Sequence, residues 1–211
     1  MAANFMRLST LIRLVLLAVM VSSASGQFHL GPKPRQPSPT PPPMRKASDL
    51  IRRQVPLKVN QSLLKQVTQD NTRIVVSIPK QRAYLMIGDQ VVADGPVSSG
   101  RRGHETPHGH FTVMEKDPNH HSSLYGDFVD SSGRTVRGGV SARSDSAPSG
   151  THFAGAPMKW FLRLTSEGVG MHIGILPGYP ASHGCIRESV DGAKLFYDYA
   201  KVGTSVDVGD F

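Results

Sequence analysis

One cysteine stands close behind two histidines in the C-terminal third of this 211-residue chain: His172 lies thirteen positions ahead of Cys185, and His183 two. A thiol is a weak nucleophile until a base removes its proton. An imidazole within hydrogen-bond reach does this and then holds the proton for a leaving amine. Gly184 permits a tight turn beside the thiol, so that the consecutive N–H groups of Gly184 and Cys185 can converge on the oxygen of an attacked carbonyl. Arg187 offers a fork of donors that braces the loop or meets a substrate carboxylate. The same His-Gly-Cys tripeptide also suits a small buried thiol without chemistry, and by itself it does not choose between the two.

The elements that must hold these residues read mainly as β structure. Ile74, Val75, Val76 and Ile78 form a strand, and residues 84–87 and 90–93 flank Gly88-Asp89 as a hairpin. Further strands are expected over 110–115 and 160–164. Met158 and Trp160 either line a cleft for a peptide or fill the core. Residues 116–155, rich in Ser, Gly and Asp, are long for a loop and imply either short strands or a cover over the site. After Cys185 the period changes: Val190, Ala193, Phe196, Tyr197 and Ala200 recur at helical spacing, with Ser189 as N-cap and Gly203 as the stop. This predicts a helix N-terminus just past Cys185, whose partial positive charge favours thiolate. A shorter helix is expected over 61–67 behind Asn60.

With 21 glycines and 16 prolines the chain is biased toward strands and turns, and its length fits one domain with appendages. Residues 1–26 read as a secretory signal: Arg7 and Arg13 lead, 14–21 form an apolar run, and 22–26 are small, so a mature terminus is expected between Ala24 and Phe28. The run is too short to cross a hydrocarbon core of roughly 30 Å. Seven prolines between positions 32 and 43 form either an extended spacer or a plain disordered tail. The expected organisation is a signal at 1–26, a Pro-rich linker and short N-terminal segment at 27–72, and a catalytic domain at 73–211. Export to the periplasm or cell wall makes the lone thiol conspicuous, because it has no internal disulfide partner and stays open to oxidation unless protected or used. The net charge of +8 suits an anionic matrix. The scattered basic residues and the lack of a binding motif speak against nucleic acid, and membrane contact is expected only through an uncleaved signal. Six of the seven other histidines, at 104, 108, 110, 120, 121 and 152, raise a zinc hydrolase, but no H-E-x-x-H pattern accompanies them, so neither metal nor cofactor is expected.

The run Ser182-His183-Gly184-Cys185-Ile186-Arg187, with His172 upstream, resembles the active-site motif of YkuD-type L,D-transpeptidases. Thr106-Pro107-His108-Gly109 is similar to that family's Thr-Pro-x-Gly element, and the opening hairpin leads to Pro96-Val97-Ser98-Ser99-Gly100 as in that family. The resemblance runs from Arg73 to the C-terminus. It implies a mainly β, sandwich-like fold with one flanking helix after the nucleophile. It implies Cys185 as nucleophile, His172 as general base oriented by the carbonyl of Ile173, and Ser182, His183 and Gly184 as residues that shape the site. Arg187, Trp160 and Met158 would meet the substrate. The implied reaction is attack on the third residue of a peptidoglycan tetrapeptide stem, release of terminal D-alanine and transfer of the acyl group. The acceptor is another stem, a wall-attached protein lysine, or water, in which case the enzyme is a carboxypeptidase. A zinc peptidase and a non-catalytic wall-binding module are the readings from other classes. One departure stands out: only nine residues separate His172 from Ser182, and Ile173-Gly174 follows the histidine where the family has Gly directly, which implies a trimmed loop over the site.

Overall fold

The computed structural model describes residues 54–211; the expected signal and proline-rich segments lie outside them. Thirteen strands and two helices follow in chain order: β1 (Lys58–Val59), α1 (Gln61–Leu64), β2 (Thr72–Ser77), β3 (Arg82–Ile87), β4 (Gln90–Ser98), β5 (Gly109–Thr112), β6 (Glu115–Asp117), β7 (His121–Val129), β8 (Thr135–Ser141), β9 (His152–Pro157), β10 (Phe161–Arg163), β11 (Gly170–Ile173), β12 (Ile186–Glu188), α2 (Val190–Tyr199) and β13 (Ser205–Gly209). Ten strands form one sheet in the order β5-β13-β2-β3-β4-β12-β11-β10-β6, with β1 added on β4. Its two ends are consecutive in the chain. Val113 donates to Thr204 on one side and Met114 to Arg163 on the other, so the sheet curls until its edges meet. The single strand expected over 110–115 is divided there for that reason, because no one partner can serve both edges.

The expected mainly β, sandwich-like fold with one helix after the nucleophile is the one observed. The curled sheet encloses a core of Ile74, Val76, Leu85, Val97, Leu162, Met171, Ile186 and Val206, closed from outside by Phe196 of α2. Burying Phe196, 1% exposed, anchors α2 by about 2–3 kcal/mol. Ser189 caps this helix by accepting from Gly192 N–H at 3.1 Å. The helix ends before Gly203, because Ala200 already takes an extended conformation.

Two segments depart from expectation. Residues 57–67, expected to precede the folded domain, belong to it: β1 pairs with β4, and Leu57, Val59, Leu63, Leu64 and Val67 pack on the core. Asn60 does cap α1, accepting from Ser62 and Leu63, but the helix is one turn long. The stretch 116–155 contains β6, β7, β8 and the start of β9, and β8-β7-β9 form a second sheet. Its glycines serve close strand contact: a Cβ on Gly126 would lie 2.1 Å from the Ala154 oxygen, and one on Gly155 2.0 Å from the Ser122 oxygen. Composition that reads as loop is here a packing requirement.

Candidate active site

Cys185 sits on a loop held from below by the end of β4. The Ser99 carbonyl accepts from both Ala181 and Ser182 N–H (2.9 and 3.0 Å), and Arg101 N–H returns a bond to the Ser182 carbonyl at 3.0 Å. Gln81 clamps Ser99 in turn, accepting its N–H at 2.9 Å and donating to its hydroxyl at 2.7 Å. A Cβ on Gly100 would meet the His104 oxygen at 1.9 Å, so only glycine lets these backbones approach. Thr106 donates to the Gly184 carbonyl at 2.8 Å and accepts from Gly100 N–H at 2.8 Å. Ser182 donates to the Cys185 carbonyl and accepts from Gly184 N–H at 3.1 Å. Ser99, Thr106 and Ser182 are all buried, and every one of these hydroxyls is satisfied, so the turn carrying Cys185 is stiff. Of the two amides expected to converge on an oxyanion, that of Gly184 is committed inside the loop, which leaves that of Cys185.

β11 and β12 are parallel neighbours, with Met171 opposite Ile186 and His172 opposite Arg187. Met171 and Ile186 fill the core, which places His172, Arg187 and, one step earlier, Cys185 on the other face. The His172 Nδ1–H donates to the Ile173 carbonyl at 2.7 Å. A carbonyl accepts only, so this contact sets the tautomer and leaves Nε2 as a bare acceptor. Burial pushes the His172 pKa down to about 4, against the upward pull of the Ile173 bond, with Arg187 adding to the depression. Burial likewise raises the Cys185 thiol, while the Gly170 amide and the Arg187 and Arg163 guanidiniums pull it down. The resting pair is therefore neutral thiol and neutral imidazole. The helix that was expected to favour thiolate does not reach the site: β12 intervenes, and α2 starts five residues after Cys185.

His183 is differently employed. Its Nε2 accepts from Arg101 Nη1 at 2.7 Å, since a guanidinium only donates, and Tyr125 of β7 stacks on its ring at 4.2 Å. The second sheet thus reaches the loop that carries Cys185, beside the short His172-to-Ser182 connection. Met158 is buried. Trp160 is half-buried just ahead of β10, with its backbone in the left-handed region at φ 52°. Gln81, also left-handed at φ 52°, has no signal in sequence for its part in the site, whereas Ser98-Ser99-Gly100 and the Thr-Pro element do.

The remaining histidines scatter. His110 lies on Asp207, His104 packs edge-on to His183, and His120 stacks on Phe161. Among the described residues one trio, Glu115, Asp117 and His120, brings potential metal ligands within 4.8 Å of one another. Glu115 there pairs with Arg163 at 2.5 Å, and Asp117 accepts from Asn119 N–H and faces His120 Nδ1.

A family model of the L,D-transpeptidase catalytic domain, YkuD, matches residues 71–208. No curated protein matches the chain. Among solved structures it is similar to an L,D-transpeptidase from Mycobacterium smegmatis, at 23% identity and a TM-score of 0.49, over 66% of this chain and 58% of that one. It is also similar to L,D-transpeptidase 1 of Mycobacterium tuberculosis, at 24% identity and 0.46, over 65% and 60%. A cysteine-to-serine variant of the Enterococcus faecium enzyme matches at 21% identity and 0.49, over 66% and 50%. The chain therefore spans about three fifths or less of the length of these proteins. The family model runs from the edge of β2 into β13 and encloses both His172 and Cys185, and on that match the chain belongs to the L,D-transpeptidase catalytic-domain family.

Proposed function

We propose that this protein is an exported cysteine acyltransferase of the cell wall that acts on peptidoglycan tetrapeptide stems. The Cys185 sulfur attacks the carbonyl of the third stem residue while His172 Nε2 takes the thiol proton. The peptide C–N bond then breaks, the proton passes to the departing D-alanine amine, and a thioester remains on Cys185. An acceptor amine, from a second stem or a protein lysine, then attacks the thioester carbonyl and passes its proton to the same imidazole, the C–S bond breaks, and the Cys185 sulfur takes that proton back as a thiol. The single observation that carries this reading is the 2.7 Å bond from His172 Nδ1 to the Ile173 carbonyl, which leaves Nε2 as a bare acceptor on a strand whose parallel neighbour, β12, begins directly after Cys185. The neutral pair suits a thiol that is activated only as it reacts.

Transfer to an amine is favoured over hydrolysis, because thioesters react readily with amines, and Tyr125 of the second sheet covers His183 beside Cys185. Incubation with a defined disaccharide-tetrapeptide and excess acceptor, followed by mass spectrometry, is expected to yield dimers lacking one D-alanine. Tripeptide monomer as the sole product would instead make the protein a carboxypeptidase that uses the same cysteine. Inactivation by chelators with survival of thiol alkylation would indicate a zinc peptidase, and loss of neither binding nor any activity on alkylation would indicate a wall-binding module.

The two histidines are separable. His172→Gln is expected to lower kcat/KM by about 10²–10⁴, the usual range for losing a general base. His183→Gln keeps an Nε2-side donor and acceptor group but weakens the hold on Arg101, so its loss should lie mainly in KM. With His172 about 4 in the free enzyme, kcat/KM should stay level from pH 7 down to pH 5 and fall only below that. An acid limb that disappears in His183→Gln and persists in His172→Gln would reverse the roles.

A further inference from the structure

The arginines of the described domain divide sharply by whether an acid faces them. Arg73, Arg82, Arg134, Arg137 and Arg163 each pair with a carboxylate. Arg102 and Arg143 do not, and both are exposed, where water solvates them. Arg101 and Arg187 are half-buried and have no acidic partner among the described residues; Arg101 bonds to His183 on the loop that carries Cys185, and Arg187 follows that loop on β12. A guanidinium withdrawn from water without an anion is unfavourable unless something else supplies the charge.

Both side chains are also held in place. The stem of Arg187 lies on the bare backbone of Gly174, where a Cβ would come within 2.7 Å of Arg187 Cγ and 2.8 Å of Cδ. Arg101 is strapped through its own N–H to the Ser182 carbonyl at 3.0 Å, and its Nη1 is held by His183 Nε2 at 2.7 Å. That bond uses one of five N–H groups and needs a neutral His183, whose protonation the burial of the ring and the adjacent Arg101 both disfavour. The guanidinium keeps its remaining donors free. The loop that carries Cys185 thus meets two held cations, Arg101 bonded to His183 and to the Ser182 carbonyl, and Arg187 on β12.

We infer that Arg101 and Arg187 form a carboxylate clamp at the loop that carries Cys185, which selects acyl donors carrying a free C-terminal carboxylate one residue beyond the attacked carbonyl. The inference rests on the proposed acyl transfer for its substrate but not for its charge. In the donor stem that carboxylate belongs to the departing D-alanine, so the clamp holds the leaving group while the carbonyl stands at Sγ. His183 is then a positioning residue, acting through Arg101.

Alkylation of Cys185 tests the clamp without any substrate. Iodoacetate and iodoacetamide differ in one charge, and the ratio of their rates reports the local field at the thiol, with the neutral reagent correcting for changes in thiol reactivity. Arg101→Gln is expected to lower the iodoacetate-to-iodoacetamide ratio about five- to tenfold, Arg101→Lys to restore most of it, and added salt to compress the difference. A merely structural role for Arg101 would change both reagents together. With tetrapeptide donors, the parent enzyme should prefer the free acid over the C-terminal carboxamide, and Arg101→Gln should raise KM for the acid while leaving the carboxamide little changed. An unchanged reagent ratio in Arg101→Gln overturns the clamp whatever the turnover. A lowered ratio in a protein that never turns over tetrapeptide supports the clamp and overturns the proposed function instead.

Discussion

Cys185→Ala is expected to give a folded protein that releases no D-alanine from tetrapeptide. No other group in the loop can form the acyl intermediate: Ser182, the nearest hydroxyl in sequence, is buried and spends its hydrogen on the Cys185 carbonyl. Removing a nucleophile from such a unit costs on the order of 10³–10⁶ in kcat. The fold should tolerate the change. The polar contacts of Sγ are weak, a 3.7 Å one with the Gly168 carbonyl and one with the Gly170 amide, and the turn is held by Ser182, Thr106 and Ser99. A melting temperature within about 3 °C of the parent, with no detectable product, is the expected pair of results; the shift follows from a stability change of about 1 kcal/mol or less in a domain of this size. Full turnover in this variant would end the assignment.

Glu188→Met is expected to stabilise the protein at alkaline pH. Glu188 stands beside Arg187 on β12, yet its side chain faces the opposite way, under α2, fully buried and with neither carboxyl oxygen hydrogen-bonded. Burial alone pushes its pKa up, from 4.5 to about 8. The folded state therefore binds this proton more tightly than the unfolded chain does. Below pH 4.5 the group is neutral in both states and carries no ionisation penalty. Between 4.5 and 8 the unfolded chain ionises first and stability falls, by up to about 1.4 kcal/mol per pH unit, and above 8 the loss levels off. The accumulated penalty is about 3–5 kcal/mol. Methionine matches the unbranched shape of glutamate and needs no hydrogen bonds. Its melting temperature should exceed the parent's by about 6–12 °C at pH 8, with the gap narrowing toward pH 5. Parallel pH curves for the two proteins would show that Glu188 has a partner or solvent that the structure does not reveal.

Much of this molecule is written locally in its sequence. The Gly88-Asp89 hairpin, the Ser189 cap and the Phe196 face of α2 each depend on residues a few positions apart, where backbone period and capping decide the outcome. The residues alone single out Cys185 as a lone thiol beside histidines without choosing between a reactive and a buried cysteine, and it is the resemblance that names it as nucleophile. The residues alone do not separate the two histidines, whose roles only the resemblance distinguishes, and the structure adds how each is held. His183 is nearer in the chain, but its Nε2 is taken by Arg101, and His172 faces the nucleophile's side only because β11 and β12 pair in parallel. The same dependence explains the stretch 116–155, whose strands carry glycine where two backbones meet and so lack the alternation that marks a half-buried strand. It explains Glu188 as well: a charged residue in a polar-looking run reads as surface, and only the register Ile173–Glu188–Val97 turns it into the core. Local periodicity and caps are properties of neighbours in the chain. Pairing across a curled sheet, and the burial that follows from it, are properties of the closed sheet alone.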